Sequence, residues 1–204
     1  KVGLTKIPPA SLSQWSKPEN KRQVWLHNMF KLRREMQAVL FYADSENEVL
    51  LNKWATRLNE HYLKVGEMVP EWQHKLDTRA MFMLQENVQS KRFNEISGAI
   101  ETLALSCDSC HTDYRATTAA LYRAPDFTNI SISPSISLTQ HMEKLSQQVN
   151  QIKIASEDGM TDLALGALSE LKIGLNALGE TCSTCHKHDF REYPDKSMND
   201  TIAQ

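Results

Sequence analysis

Two stretches of this chain share one spacing. Phe93, Ile96, Ile100, Leu103, Cys107 and Cys110 recur at steps of three and four, and Leu168, Leu171, Leu175, Leu178, Cys182 and Cys185 repeat that register 75 residues later. Such steps place every member on one face of an α-helix. A helix with one apolar face must bury it against other helices or a sheet. The sheet is disfavoured, because 204 residues contain only seven glycines, too few for many tight turns or for phosphate-cradling loops. The expectation is an all-α protein.

The remaining stripes agree. Trp25, Met29, Leu32, Met36 and Val39 predict a helix from Asn20 to Ala43, closed by the cap-rich break Asp44-Ser45-Glu46-Asn47. Leu51, Trp54, Leu58, His61 and Val65 predict a second, ending near Gly66 and Pro70. Leu76, Ala80, Met83 and Leu84 predict a third, with a turn at Gln89-Ser90-Lys91-Arg92 before the fourth. Leu138, Met142, Leu145, Val149 and Ile152 predict another, ending near Asp158-Gly159. Residues 1–19 hold three prolines and no period, so they read as an extended arm. In 116–137 the Ile/Ser alternation hints at a strand, but Pro134 in its middle demotes it to a linker. The expected organisation is an arm at 1–19, a four-helix domain at 20–115, a linker at 116–137 and a second helical domain at 138–204. Asn129-Ile-Ser131 and Asn199-Asp-Thr201 match the glycosylation sequon, a pattern short enough to arise by chance.

The cysteines carry the chemistry. Cys107-Asp-Ser-Cys110-His111 and Cys182-Ser-Thr-Cys185-His186 are both C-x-x-C-H, the attachment pattern of c-type haem, and together they use every cysteine in the chain. Thiols one helical turn apart can add to the two vinyl groups of one porphyrin, while the adjacent imidazole coordinates the iron. Four cysteines and seven histidines scattered at random would produce roughly 0.002 such motifs. Zinc ribbons space their pairs by about 15–20 residues, against 71 here. A thioredoxin-like pair lacks its βαβ setting, and neither it nor a structural disulfide requires histidine after both pairs. Two covalently attached haems are expected, with His111 and His186 as proximal iron ligands.

With only 18 residues after His186, the chain cannot wrap a second haem as the small mitochondrial-type cytochromes do. Each motif instead ends a long helix. The ending Cys107-Asp-Ser-Cys110-His111-Thr-Asp-Tyr114-Arg115, with Arg22-Gln23 near the first helix, resembles the class II cytochromes c, that is, cytochrome c′ and its low-spin relatives. The resemblance covers roughly 20–115. In 138–191 it reaches only a terminal hairpin, with one residue inserted before Phe190-Arg191. It implies an antiparallel bundle of cytochrome c′ type, followed by a shorter helical hairpin carrying the second haem. It further implies that Arg115, and by weaker analogy Arg191, pairs with haem propionates, although a solvated arginine is the plainer reading.

In that family the residue four after the Arg of Arg-Gln faces the distal side of the haem. Here it is Leu26, and an apolar residue leaves the iron open. Met29 lies one turn on and is an alternative sixth ligand. His27 falls on the polar face with Lys31 and Arg34. His61 interrupts an apolar stripe and is a further candidate for the first iron. For the second, His141 is favoured and Met142 is its alternative. His188 sits too close to a proximal ligand to reach the opposite face, and Met36, Met81 and Met83 read as core filler.

Electron transfer between redox partner proteins is the leading expectation, and no substrate chemistry is required. Gas binding at an open iron is the rival. Peroxide reduction or other turnover ranks last, because no distal acid–base pair stands out. Lys plus Arg total 23 against 25 Asp plus Glu, so nothing favours nucleic acid or an anionic membrane. No apolar run approaches the ~18 residues of a membrane span. The family is typically periplasmic, which would mean a leader has been removed before Lys1. Its members often pair through their first two helices, so a homodimer is compatible, though Trp and Met on those helices are equally explained as core.

Overall fold

The computed structural model describes residues 5–122 and 130–185, except the side chains of 182–185. Among the described residues the chain is all-α apart from one small hairpin, and it divides into two compact units, residues 1–124 and 125–204.

In the first unit, α1 (Val24–Asp44) packs on α2 (Glu48–Met68) and on α4 (Phe93–Leu121), while α3 (Thr78–Gln89) joins α2 to α4, so four helices close a ring. Local chemistry sets the boundaries. The Asn47 side chain accepts from the Leu50 amide at 3.1 Å, and Asp77 accepts from the Ala80 amide at 2.8 Å, each satisfying a donor that a helix start leaves orphaned. Ser90 and Lys91, the latter at φ 56°, make the turn before α4. Leu51, Trp54, Leu58, Leu84, Ile96 and Leu103 are almost fully buried. Each contributes about 1.5–3 kcal/mol relative to an exposed position.

Five expectations change here. The segment before α1 is not merely extended: Ala10–Trp15 forms a 3-10 turn, Leu12 is fully buried, and the Trp15 indole donates to the Met68 carbonyl at 2.7 Å. A period search misses a segment held by single anchors. The interior of α1 is Asn28, Leu32, Glu35, Ala38, Val39 and Tyr42, so two polar residues lie on the buried side. On α2 the interior position belongs to Tyr62, not His61, and on α3 Met83 is exposed while Met81 is buried. Finally, α4 runs eleven residues beyond Cys110, so the first motif lies within a helix and does not end it. No proline or glycine interrupts Thr112–Leu121, and the helix continues because Tyr114 finds apolar company.

In the second unit, Ser131–Ser133 (β1) and Ile136–Ser137 (β2) pair antiparallel, with Pro134 in the turn between them. The expected linker is therefore partly a hairpin, in which proline occupies the connection where no ladder donor is needed. Ser137 and Gln140 form a reciprocal capping box that opens α5 (Leu138–Glu157). Gly159, at φ 73°, reverses the chain into α6 (Thr161–Cys185). Leu138, Leu145, Leu171 and Leu178 form the contact between the two helices. Among the described residues no helix is long and apolar enough to cross a membrane.

Candidate functional site

Cys107, Cys110 and His111 stand on α4, where the buried stripe Ile96, Ile100, Leu103 passes toward the arm. At 100° per residue, the three side chains leave the helix within one sector. Both cysteines are free thiols and half-buried. Burial pushes both thiols above the ordinary value, so they are protonated at neutral pH. His111 keeps part of its surface in solvent and makes no hydrogen bond among the described residues. The desolvation it does suffer, and then the nearby Arg115 guanidinium, hold its pKa below the usual imidazole value. A neutral imidazole with a free lone pair is the form that ligates metal.

The surroundings of the motif are aromatic. One turn past Cys110, the Tyr114 ring lies 4.9 Å from that of Trp72, which lies 5.2 Å from Trp25. Trp15, Tyr122, Leu12, Met68 and Val69 complete this cluster. Trp72 is 2 % exposed, yet its indole N–H has no acceptor among the described residues. Buried donors normally find one, so the cluster has an unmet polar requirement close to the motif. Asp113 fixes this end of α4 by pairing with Lys75 at 2.7 Å and Lys6 at 2.9 Å. The hydrogen bond from Lys75, then that from Lys6, holds the Asp113 carboxyl below the usual range. On α2, the Tyr62 hydroxyl lies 2.8 Å from Ser106 Oγ, next to Cys107, and accepts from the Asp77 amide at 2.7 Å.

His61 faces α1: its Nδ1 lies 2.7 Å from Glu35 Oε1 and 3.0 Å from the Arg57 carbonyl, and its Nε2 lies 3.3 Å from Lys31 Nζ. A carbonyl only accepts, so Nδ1 carries the hydrogen and Nε2 accepts from the ammonium. Both nitrogens therefore have partners within the protein. Leu26 is 40 % exposed, Met29 is half-buried, and His27 is exposed with its ring 6.4 Å from Phe30. Arg115 is exposed.

In the second unit, buried His141 donates from Nε2 to the Gly174 carbonyl at 2.8 Å, which ties α5 to α6. Gly174 precedes Cys182 by eight residues, about 12 Å along a helix. Met142 is 44 % exposed. Cys182 and Cys185 end α6, but their side chains, His186, His188, Phe190, Arg191 and both sequon asparagines lie outside the described residues.

Among the described residues no three His, Cys, Asp or Glu side chains gather as a metal cage. Cys107, Cys110 and His111 lie along one face of α4. Sequence reasoning missed Tyr62 and the Glu35–His61 pair. For Tyr62 the signal was present, since Leu51, Leu58, Tyr62 and Val65 fit the helical period as well as the set with His61. Comparison with known protein families, characterised proteins and solved structures finds no match for this chain.

Proposed function

We propose that the chain is a periplasmic dihaem c-type cytochrome, similar to the class II family, that passes single electrons between redox partner proteins. One observation carries the reading. Two C-x-x-C-H motifs consume every cysteine, and the first presents two free thiols and a neutral, unpartnered imidazole on one side of a helix. Haem bound there would supply one-electron chemistry at iron. Cys107 and Cys110 would hold it, as would Cys182 and Cys185 in the second unit, with His111 and His186 as proximal ligands. Trp72, Tyr114 and Trp25 offer an apolar wall that excludes water, and the indole N–H of Trp72 offers a donor for a polar edge. The cytochrome c′-type bundle and the second-haem hairpin belong to the same proposal.

The test is the mass and reduced pyridine spectrum of protein matured by a host that attaches haem c. Two covalent haems are expected, and Cys107→Ser with Cys110→Ser removes one of them. Protein matured this way without covalent haem overturns the reading.

Gas binding at the first iron is the second reading. It is favoured by the engagement of both His61 nitrogens and by the outward position of Leu26, which leave only Met29 among the distal residues weighed above. A CO-induced change in the reduced spectrum would select it over pure electron transfer.

A further inference from the structure

Between the first half of α1 and the last turns of α2 lies a cavity of about 260 Å³, lined by Arg22, Val24, His27, Asn28, Lys31, His61, Lys64 and Met68. Five of these eight residues carry basic side chains, and none carries a carboxylate. The buried Asn28 amide donates to the His61 carbonyl at 3.0 Å and pins the two helices together beneath the opening. Lys31 finds only a neutral imidazole nitrogen as acceptor. No acid pairs with Arg22 or Lys64 among the described residues.

We propose that this cavity is a binding site for a small oxyanion of the inorganic phosphate class. Cations arriving from two helices repel one another across a concave site whose walls are partly apolar, where the field is less screened than on an open surface. A doubly charged tetrahedral oxyanion relieves that repulsion and accepts charge-assisted hydrogen bonds from Lys31, Lys64 and Arg22. The buried pair behind the opening adds a responsive wall, since Glu35 bonds His61 Nδ1 and leaves Nε2 on the side of Lys31. The charged groups facing His61 are Lys31 and Glu35 from α1 and Arg57, Glu60 and Lys64 from α2. Lys31 and Lys64 both lower its proton affinity, which places both ammonium groups within electrostatic reach of the ring. A polyanion is the poorer occupant. The chain carries a formal net charge of −2, which disfavours a large polyanion as occupant.

The experiment is calorimetric titration of inorganic phosphate into the full chain with whatever prosthetic groups it holds, in a buffer low in competing anions. One saturable site per chain is expected. Lys31→Met and Lys64→Met each weaken it by about tenfold, the loss of one charge-assisted hydrogen bond. Lys144→Met, at an exposed position in the second unit, leaves the affinity unchanged. Both cavity lysines are exposed, so their variants are expected to fold, which circular dichroism checks. Absence of saturable binding overturns the proposal. So does an equal loss in all three variants, because that is general charge screening.

Discussion

His61 Nδ1 lies 2.7 Å from Oε1 of Glu35, a carboxyl 3 % exposed whose second oxygen has no partner among the described residues. Burial outweighs the attraction of Arg34, Lys31 and Arg57 and raises the Glu35 pKa to about 7. Burial, then Lys31 and Lys64, lowers that of His61. The structure thus holds a carboxyl whose proton is retained far above the usual carboxylate range against an imidazole of lowered proton affinity, an acid–base pair the sequence did not advertise.

The two shifts have opposite linkage. Glu35 is protonated in the folded chain and ionised in the unfolded chain between about pH 4.5 and 7, so its contribution to stability is lost as pH rises through that window. His61 is protonated more readily when unfolded, so its contribution grows up to its ordinary pKa of 6.5. Glu35→Gln removes the first term alone. Relative to the parent chain, the variant should gain on the order of 2–3 kcal/mol between pH 4.5 and 8 in urea unfolding. Parallel pH profiles would show that Glu35 is not perturbed.

Tyr62 joins α2 to the start of α3 and to the helix that bears the first motif. Tyr62→Phe deletes the acceptor of the Asp77 amide and the partner of Ser106 while keeping the ring. A loss of about 1–3 kcal/mol is expected in chemical denaturation. An unchanged midpoint would mean that water replaces both bonds at no cost.

Two helix glycines should respond in opposite directions. A Cβ at Gly98 meets nothing within 4 Å, so Gly98→Ala stabilises α4 by about 0.5–1 kcal/mol through helix propensity. A Cβ at Gly174 falls well inside contact with Leu145 Cδ2, a side chain buried in the α5–α6 core. Gly174→Ala should therefore give up that gain and lose about 1–2 kcal/mol in all. Thermal unfolding of the pair, compared at one pH, measures both signs.

His141 ties α5 to α6 through Gly174, and Met142 stands outside that contact. His141→Phe should cost about 1–2 kcal/mol by orphaning its carbonyl partner's extra bond and crowding the seam. Met142→Ala should stay within about 0.5 kcal/mol. Under the proposed function, an unchanged spectrum in His141→Phe would mean that Nε2 stays with Gly174 and does not ligate the second iron.

The stripes through Ile96, Ile100 and Leu103, and through Leu171 and Leu178, are buried where their spacing puts them, and the breaks at Asn47 and Gly159 are used as a cap and a turn. Such features are local: a period and a cap need only the residues within a turn or two. The motif Cys107-x-x-Cys110-His111 was equally visible, because its residues are neighbours in sequence.

What lay beyond the sequence depends on partners far along the chain. Whether His61 or Tyr62 faces inward is a rotation of 100°, and the apolar period alone does not separate them. Tyr62 takes the interior because Ser106 and Asp77 receive its hydroxyl there, while Glu35 and Lys31 receive the imidazole on the other side. Residues 5–19 have no period at all, yet Leu12 and Trp15 are anchored by the end of α2. By itself the sequence determined an all-helical chain with two cysteine–histidine motifs. Only tertiary contact decided which polar groups were buried, since the cost of burying Glu35 or His141 depends on what another helix places within hydrogen-bonding distance.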